Sequence, residues 1–415
     1  MHPKALIDEA GTLLRNVLRF EQPADALVSA HFRNNRSLGS KERGALAETT
    51  YALLRRRLYF QHLAQSGRGP MERRLVLLAW AGDPRTRDAA CTSEEASWLA
   101  GAAAIDPATL APKLRHNLPD WVAQPLAEQL GAEFDALADS LLQAAPLDLR
   151  VNTLKAKRDA VLAQLQADGV RCAATPHSPW GIRLEGKPAL NQWPLFKDGS
   201  IEVQDEGSQL LAALLDAKRG EMVADFCAGA GGKTLALGAS MRNTGRLYAF
   251  DVAGHRLESL RPRLARSGLS NVYPVQIAHE RDERIKRLSG KLDRVLVDAP
   301  CSGLGTLRRN PDLKWRQSPE AVAALTQQQL SILNGASRLL KPGGRLVYAT
   351  CSVLRQENED VAAAFEAAQA GLKAQWQRLD AATLLDAGLC SEGNLRLWPH
   401  RHGCDGFFAA VWQKA

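Results

Sequence analysis

The chain has few of the features that would mark a membrane protein, a disulfide scaffold or a structural zinc site. No apolar run approaches the roughly 18 residues of a membrane-spanning helix, and the run at residues 75–80 is far too short. The seven cysteines are scattered and form no Cys-x-x-Cys pair, so neither a zinc ribbon nor a disulfide framework is indicated. Residues 1–9 lack the apolar segment of a signal peptide. We therefore expect a soluble cytoplasmic protein with reduced thiols and no metal site.

The surplus of positive charge is small but concentrated. The 415 residues carry 53 Lys and Arg against 45 Asp and Glu, a net charge of +8. Between Arg33 and Arg74, ten Lys or Arg stand against three Glu, so this stretch accounts for nearly all of the surplus. Such a concentration favours a polyanionic partner. Residues 39–43 are predicted to form a loop and N-cap before a helix that runs through Leu58. The run Arg55-Arg56-Arg57 lies on this helix, as either a solvated face or a surface for an RNA backbone.

Hydrophobic periodicity divides the chain into three regions. Residues 1–140 have apolar residues at three-to-four spacing, which predicts a helical domain. Residues 145–215 mix short strand-like runs with helix-like runs and predict a small α+β subdomain. Residues 216–415 alternate strands and helices, the pattern of a Rossmann-like, doubly wound α/β sheet. The strand candidates are 222–227, 246–251, 272–277, 294–298 and 344–350, with an edge strand in the aromatic run 406–412.

A glycine-rich turn follows the first strand candidate of the α/β region. Residues 227–234 read Cys-Ala-Gly-Ala-Gly-Gly-Lys-Thr, and glycines let a backbone turn tightly and approach a ligand at a helix N-terminus. The turn is not a Walker A loop, because Cys227 stands where that motif begins with Gly. Asp251 ends the second strand, where it can accept hydrogen bonds from ribose hydroxyls. A nicotinamide dehydrogenase, or a tightly packed turn without a ligand, would fit these residues as well.

Two cysteines follow two further strand candidates at the same predicted edge of the sheet. Cys301 lies in Asp298-Ala-Pro-Cys-Ser, and Cys351 lies in Ala349-Thr-Cys-Ser. In an open α/β sheet, ligands bind outside the carboxyl ends of the strands. Two thiols brought to that edge by neighbouring strands can share one pocket, which suggests covalent chemistry.

Six further motifs complete a recognisable set. They are Arg150-Val-Asn152, Val203-Gln-Asp-Glu-Gly-Ser-Gln209, Arg309-Asn-Pro-Asp-Leu-Lys-Trp315, Tyr348-Ala-Thr-Cys-Ser352, Glu357-Asn-Glu359 and Asp405-Gly-Phe-Phe408. With the turn and the cysteines, they resemble the S-adenosylmethionine-dependent RNA cytosine-C5 methyltransferases, whose bacterial ribosomal-RNA members carry a NusB-like helical N-terminal domain. The resemblance implies an RNA-recognition subdomain at 145–215, a class I methyltransferase domain at 216–415 and S-adenosylmethionine as cofactor. We expect a monomer that methylates cytosine C5 in RNA, by analogy ribosomal RNA.

The resemblance also gives the two thiols separate roles. C5 of cytosine is a poor nucleophile, so a thiolate first adds to C6 and activates C5 for methylation. Afterwards the C5 proton must leave and the thiol must be eliminated. By resemblance, Cys351 is the nucleophile, Cys301 assists product release, and Asp298 holds the N3/N4 edge of the base.

The same resemblance implies the remaining site residues. Cofactor contacts are expected from Cys227, Ala228, Gly229, Ala230, Gly231, Gly232, Lys233, Asp251 and Asp298. RNA contacts are expected from Arg150, Asn152, Arg308, Arg309, Lys314 and Trp315, although a structural loop fits the last four equally.

One departure from the family pattern lies at the end of the third strand. The family has an Asp near position 278 that contacts the adenine amino group, whereas the side chain of Ala278 cannot accept a hydrogen bond. Asp282 or the His279 ring would have to compensate. The alternative function is an RNA-binding, ribosome-assembly factor with weakened or lost methyltransferase activity. A DNA cytosine methyltransferase ranks lower, because it needs no second cysteine in a Thr-Cys-Ser motif.

Overall fold

Residues 1–370 and 375–415 are described by the computed structural model, and they divide into two units. The helical unit consists of Met1–Ala144 and Thr306–Pro319. The sheet unit consists of Ala145–Gly305 and Glu320–Ala415. Within the described ranges, no helix is both long enough and apolar enough to span a membrane.

The elements are as follows in chain order. The α-helices are α1 (Pro3–Val17), α2 (Ala24–Asn34), α3 (Ser40–Arg55), α4 (Arg57–Ala64), α5 (Met71–Ala79), α6 (Pro84–Ala90), α7 (Ser93–Ala103), α8 (Pro112–His116), α9 (Asp120–Leu130), α10 (Phe134–Leu141), α11 (Arg158–Ala167), α12 (Pro194–Lys197), α13 (Glu206–Leu215), α14 (Gly232–Ser240), α15 (Gly254–Ser267), α16 (Glu283–Lys286), α17 (Leu313–Arg316), α18 (Pro319–Ser337), α19 (Glu359–Gln369) and α20 (Pro399–His402). The strands are β1 (Leu147–Val151), β2 (Cys172–Ala174), β3 (Gly181–Leu184), β4 (Ile201–Val203), β5 (Met222–Phe226), β6 (Arg246–Asp251), β7 (Val272–Gln276), β8 (Leu292–Asp298), β9 (Leu340–Thr350), β10 (Trp376–Leu379), β11 (Cys390–Ser391), β12 (Asn394–Leu397) and β13 (Phe407–Lys414). Short 3₁₀ turns lie at Pro107–Thr109, Gly131–Glu133, Leu190–Gln192, Leu304–Thr306, Arg355–Glu357, Ala381–Thr383 and Ala387–Leu389.

The helical unit is built around α1, as the helical prediction for residues 1–140 requires. Leu6, Ile7, Leu13 and Leu14 recur on one face of α1 and are buried against α3 and α5. Burying each such side chain is worth roughly 1.5–3 kcal/mol. The helix predicted to follow residues 39–43 already begins at Ser40. It is two helices and not one, because Arg56, at φ −119° and ψ 34°, leaves the helical region between α3 and α4.

The segment Thr306–Pro319 belongs to the helical unit, which differs from the prediction that assigned it to the methyltransferase domain. Lys314 Nζ donates to the carbonyl of Arg55 at 2.9 Å, and Trp315 Nε1 donates to the carbonyl of Leu54 at 2.9 Å. The last carbonyls of a helix have no partner within that helix, so these two donors complete the C-terminus of α3. Asp312 Oδ2 accepts from the backbone N–H of Ala24 at 3.2 Å and fixes the other end of the segment.

Several basic residues of the 33–74 stretch are used inside the helical unit. Arg73 pairs with Glu95 at 2.6 Å and also donates to the carbonyl of Ala90. Arg74 donates to two backbone carbonyls, and Arg55 donates to the carbonyl of Arg308 at 3.0 Å. The charge concentrated in the sequence is therefore only partly a surface property.

The sheet unit contains a small antiparallel sheet ordered β2-β3-β1-β4. Leu149 and Val151 of β1 alternate with polar residues and pack against Val161 and Leu165 of α11. The small α+β subdomain predicted for 145–215 therefore has its own core. It is nevertheless tied to the rest of the unit, since Glu202 of β4 pairs with Arg263 and Arg266 of α15 at 3.0 and 2.7 Å.

The large sheet has the Rossmann-like organisation that the sequence predicts. Its order is β11-β12-β13-β9-β8-β5-β6-β7, with β10 also paired to β13. Strands β5 to β9 pair in parallel, and β13 runs antiparallel to β9. The order reverses at β5, which lies between β6 and β8. In open α/β sheets this switch point, at the carboxyl ends of the strands, is where ligands bind.

Candidate active site

The two cysteines predicted to share a pocket are in contact. Cys301 Sγ and Cys351 Sγ lie 3.4 Å apart, and both side chains are partly buried. The parallel strands β8 and β9 pair Asp298 with Ala349, and the backbone N–H of Ala299 donates to the carbonyl of Ala349 at 2.9 Å. The two cysteine-bearing segments therefore leave the sheet side by side at its carboxyl edge.

An ion pair stands at the same edge. Lys233 Nζ, on the first turn of α14, lies 2.7 Å from Oδ2 of Asp298, the last residue of β8. Among the residues of the described ranges, none donates a hydrogen bond to Oδ1 of Asp298, so that oxygen can receive a donor from a ligand. Lys233 lies close enough to Cys351 for their charges to interact.

The two thiols have different electrostatic surroundings. The hydrogen bond with Cys351, then burial, then the charges of Cys351 and Glu357 raise the pKa of Cys301 well above its usual range. Burial lowers the pKa of Lys233, but the charges of Asp298, Cys351 and Asp225 outweigh it and the net shift is upward. Lys233 therefore remains an ammonium that interacts with Cys351, whereas Cys301 retains its proton.

The glycine-rich turn is held by Asp251. Oδ2 of Asp251 accepts from the backbone N–H of Gly229 at 2.7 Å, and Oδ1 accepts from that of Ala253 at 2.8 Å. Gly231 has φ +81°, and a Cβ there would lie 2.2 Å from Leu260 Cδ1. Only glycine fits this position. The turn thus packs closely on α15, and the first N–H groups of α14 have no partner within that helix.

Asp225, at the end of β5, is a polar residue of the site that the motifs did not single out. It is fully buried, and burial raises the pKa of its carboxyl to about 7. Oδ2 accepts from Thr234 Oγ1 at 2.6 Å, while the buried Oδ1 has no partner in the described parts of the chain. The signal available in the sequence was an acidic residue inside an apolar strand directly before the turn.

Asp282 lies beside Ala278, whose side chain cannot accept a hydrogen bond. Its Oδ2 accepts from the backbone N–H of Ala278 at 2.9 Å, and its Oδ1 accepts from that of Arg284 at 2.9 Å. These two hydrogen bonds lower the pKa of Asp282. The ring of His279 is engaged elsewhere, since Nδ1 accepts from the backbone N–H of Arg281 at 3.1 Å. Asp282 and His279 thus both accept hydrogen bonds from neighbouring backbone N–H groups, and their role at the adenine stays a prediction.

The expected RNA-contacting residues do not form one exposed group. Arg150 and Asn152 belong to the sheet unit, and Arg308, Arg309, Lys314 and Trp315 belong to the helical unit. Arg150 is buried and donates to Gln204 Oε1 at 2.6 Å, and Asn152 Nδ2 donates to the carbonyls of Gly199 and Ser267. Lys314 and Arg308 are also buried. Their contacts with RNA stay a prediction, while their contacts within the protein are structural.

Glu357 is the site residue whose contacts sequence reasoning missed. It appeared only as part of the Glu-Asn-Glu motif, six residues after Cys351. In the structure its carboxylate is buried and contacts Ser302 and Ser352, the residues that directly follow the two cysteines. Spacing alone gave no signal for this link, because it joins side chains from separate segments.

Two family models match the chain. The model described as 16S rRNA methyltransferase RsmB/F matches residues 212–413, and the RsmF/B-like ferredoxin-like domain matches residues 118–191. A curated Synechocystis protein named "Probable ribosomal RNA small subunit methyltransferase B" is 36% identical over 306 residues, 72% of this chain and 68% of that protein. The "Ribosomal RNA small subunit methyltransferase B" of Erwinia tasmaniensis is 35% identical over 292 residues, 70% of this chain and 65% of that protein. The chain thus spans about two thirds of the length of these relatives.

The whole chain also matches a solved structure. The crystal structure of PH0851 is similar over 100% of this chain and 99% of that chain, with a TM-score of 0.81 and 26% sequence identity. The arrangement of a helical region, a small sheet and a Rossmann-like sheet is therefore shared with a protein of known structure.

Proposed function

Because the chain belongs to the RsmB/F family of 16S rRNA methyltransferases, we propose that it methylates C5 of a cytosine in ribosomal RNA, with S-adenosylmethionine as methyl donor. The observation that carries the proposal is the pair of thiols 3.4 Å apart beside the Lys233–Asp298 ion pair. A nitrogen or oxygen acceptor attacks a methyl donor directly, whereas C5 of cytosine needs covalent activation by a nucleophile. Adjacent thiols at the ligand-binding edge of the sheet therefore favour C5 chemistry over other methyl transfers.

The residues at the switch point fit the proposed cofactor, which supplies an electrophilic methyl group when it is bound. The glycine-rich turn presents backbone N–H groups, and Gly231 has no room for a Cβ. Asp225 directs a buried, unpartnered oxygen to this region. Residues 227–233, with Asp251 at the ribose and Asp282 at the adenine, would hold the cofactor.

The side chains divide the proposed reaction between them. The Cys351 thiolate forms a bond to C6, and the electrons of the C5–C6 double bond shift so that C5 becomes the nucleophile. Asp298 holds the N3/N4 edge of the base, and Lys233 fixes Asp298 through the 2.7 Å contact. After C5 has gained the methyl group, its proton passes to a water molecule acting as base, the C5–C6 double bond re-forms, and the Cys351–C6 bond breaks so that Cys351 leaves as a thiolate. Cys301, in contact with Cys351, lies where it can assist this elimination.

The experiment that tests the proposal is direct. A 16S rRNA transcript is incubated with the protein and S-adenosylmethionine carrying a labelled methyl group, and the digested nucleosides are separated by chromatography and mass spectrometry. We expect label in 5-methylcytidine, and none with Cys351→Ala. Label in another nucleoside would refute C5 chemistry. RNA binding without detectable binding of S-adenosylmethionine would instead favour the assembly-factor alternative.

A further inference from the structure

We propose that Glu357 is a positioning residue that holds the two cysteine-bearing segments together and thereby keeps Cys301 and Cys351 in contact. Its role in turnover rests on the proposed function, but its effect on the distance between the thiols does not. Glu357 ends the turn Arg355–Glu357, which follows β9, and its side chain is 0% exposed. No residue of this role is implied by the glycine-rich turn or the cysteine motifs.

Both oxygens of Glu357 accept hydrogen bonds, and most of the donors sit next to the cysteines. Oε1 accepts from the backbone N–H of Ser302 at 2.8 Å and from Gln329 Nε2 at 3.1 Å. Oε2 accepts from the hydroxyls of Ser302 and Ser352, each at 2.5 Å. A single carboxylate therefore links the residue after Cys301 to the residue after Cys351.

The link depends on the carboxylate being an acceptor at both oxygens. Among the residues of the described ranges, no basic side chain pairs with Glu357, and its partners are the uncharged donors named above. A buried carboxylate persists without a cation only when hydrogen bonds satisfy it. Glutamine has the same shape but carries an NH₂ group in place of one oxygen. At the Oε1 position that group would face the N–H of Ser302, and at the Oε2 position it would donate to the serine hydroxyls. In either case neutral hydrogen bonds replace bonds to a charged carboxylate, so the link between the two cysteine-bearing segments weakens.

Neighbouring side chains fix Glu357 itself. Tyr348, which is buried, donates its hydroxyl to the carbonyl of Glu357 at 2.5 Å. Gln329 Nε2 also donates to the carbonyl of Pro300 at 2.9 Å, directly before Cys301. Asn358 Nδ2 donates to the carbonyl of Ser352 at 3.1 Å. Because its own position is fixed, Glu357 can hold the two thiols at a defined distance from each other. Its charge also contributes to the raised pKa of Cys301, so one carboxylate acts on both geometry and protonation.

The thiol distance can be tested without RNA or cofactor. Diamide takes two electrons and two protons from a pair of neighbouring thiols, which then form a disulfide. The rate at which the Cys301–Cys351 disulfide appears is followed by mass spectrometry of the linked peptides and divided by the rate at which iodoacetamide alkylates the two thiols. This ratio reports how often the thiols meet, because the alkylation rate corrects for a changed thiolate fraction. We expect Glu357→Gln to lower this ratio by about ten-fold, the loss typical of a hydrogen bond to a charged group. Asp360→Asn, which changes an exposed carboxylate that pairs with Arg355, is the matched control and should keep the wild-type rate.

Ser352→Ala separates positioning from folding. It removes one hydroxyl donor to Glu357 and leaves the carboxylate in place, so we expect a slower disulfide rate in the same direction as Glu357→Gln but smaller. Methyl transfer should fall in both variants while the dissociation constant of S-adenosylmethionine changes less than about two-fold, since the cofactor turn is untouched. A folded Glu357→Gln variant that forms the disulfide at the wild-type rate would overturn the proposal. If Glu357→Gln does not fold, a wild-type rate in Ser352→Ala would overturn it instead. Normal disulfide kinetics in a wild-type protein without methyl transfer would refute the proposed function alone.

Discussion

Replacing Lys314 with methionine tests whether this lysine serves the fold or the RNA. Lys314 is 2% exposed, and its ammonium donates to the carbonyl of Arg55 at 2.9 Å and lies 5.0 Å from the ring centroid of Trp315. Burial, then the charges of Arg55 and Arg56, lower the pKa of Lys314 from 10.5 to about 7. A lysine that contacts phosphate would be expected to stay protonated and accessible.

The shift predicts a pH dependence of stability with a definite sign. The folded pKa lies below the unfolded one, so between about pH 7 and pH 10 the unfolded chain binds more protons and the free energy of unfolding rises with pH. Each pKa unit corresponds to about 1.4 kcal/mol. Between pH 7 and pH 9 the folded protein has largely released the proton while the unfolded chain still holds it. We therefore expect a gain of about 2 kcal/mol over this range from Lys314 alone.

The measurement compares urea denaturation of the full chain at pH 7 and pH 9 for wild type, Lys314→Met and Lys41→Met. Lys41 is an exposed lysine on α3 and serves as the control. Lys314→Met should lose about 2 kcal/mol of the rise, whereas Lys41→Met should keep it. Unchanged pH dependence in Lys314→Met would refute the reasoning. Lys314 would be a phosphate contact after all if Lys314→Met also weakened RNA binding and reduced the slope of log affinity against log salt concentration by about one.

Three further predictions concern the site. In the presence of RNA and S-adenosylmethionine, Cys301→Ala should accumulate a covalent protein–RNA adduct that migrates as a shifted band on a denaturing gel, while Cys351→Ala should form none; adduct formation by Cys351→Ala would reverse the two roles. Asp282→Ala should weaken binding of S-adenosylmethionine by roughly ten-fold, because a charged hydrogen-bond acceptor is lost. Adding Ala278→Asp to this variant should restore the affinity, which calorimetry measures. Gly231→Ala should lower cofactor affinity and thermal stability together, because its Cβ would overlap Leu260 and its φ is +81°; unchanged melting temperature and affinity would contradict the geometry of the turn.

The sheet unit was predictable from the sequence because its strands are buried on both faces. Such strands read as continuous apolar runs, and the predicted 246–251 coincides with β6, while 222–227 and 272–277 differ from β5 and β7 by one residue. The position of the site then followed from strand order, since ligands bind where that order reverses. Because β8 and β9 are neighbours, Cys301 and Cys351 leave the sheet at the same edge.

The helical unit was less predictable because some of its Lys and Arg side chains are used in its interior and not at its surface. Lysine and arginine are seldom buried unless paired, yet Lys314 and Arg55 use backbone carbonyls as partners inside the unit. The break at Arg56 has no proline or glycine to announce it. It coincides with the carbonyls of Leu54 and Arg55 being taken by a segment more than 250 residues further along the chain, which no local pattern can reveal.

The same limit applies to the two thiols, and it explains how identical residues can receive different roles. Cys301 and Cys351 leave adjacent strands in similar Pro-Cys-Ser and Thr-Cys-Ser settings, so local sequence offers little to distinguish them. The difference comes from side chains on other elements. The Cys351 thiol, burial and the charge of Glu357 favour the protonated form of Cys301, while the ammonium of Lys233 interacts with Cys351. These charges come from elements that only the folded chain brings together. The order of roles that family resemblance implies stays a prediction, and the adduct experiment with Cys301→Ala and Cys351→Ala tests it.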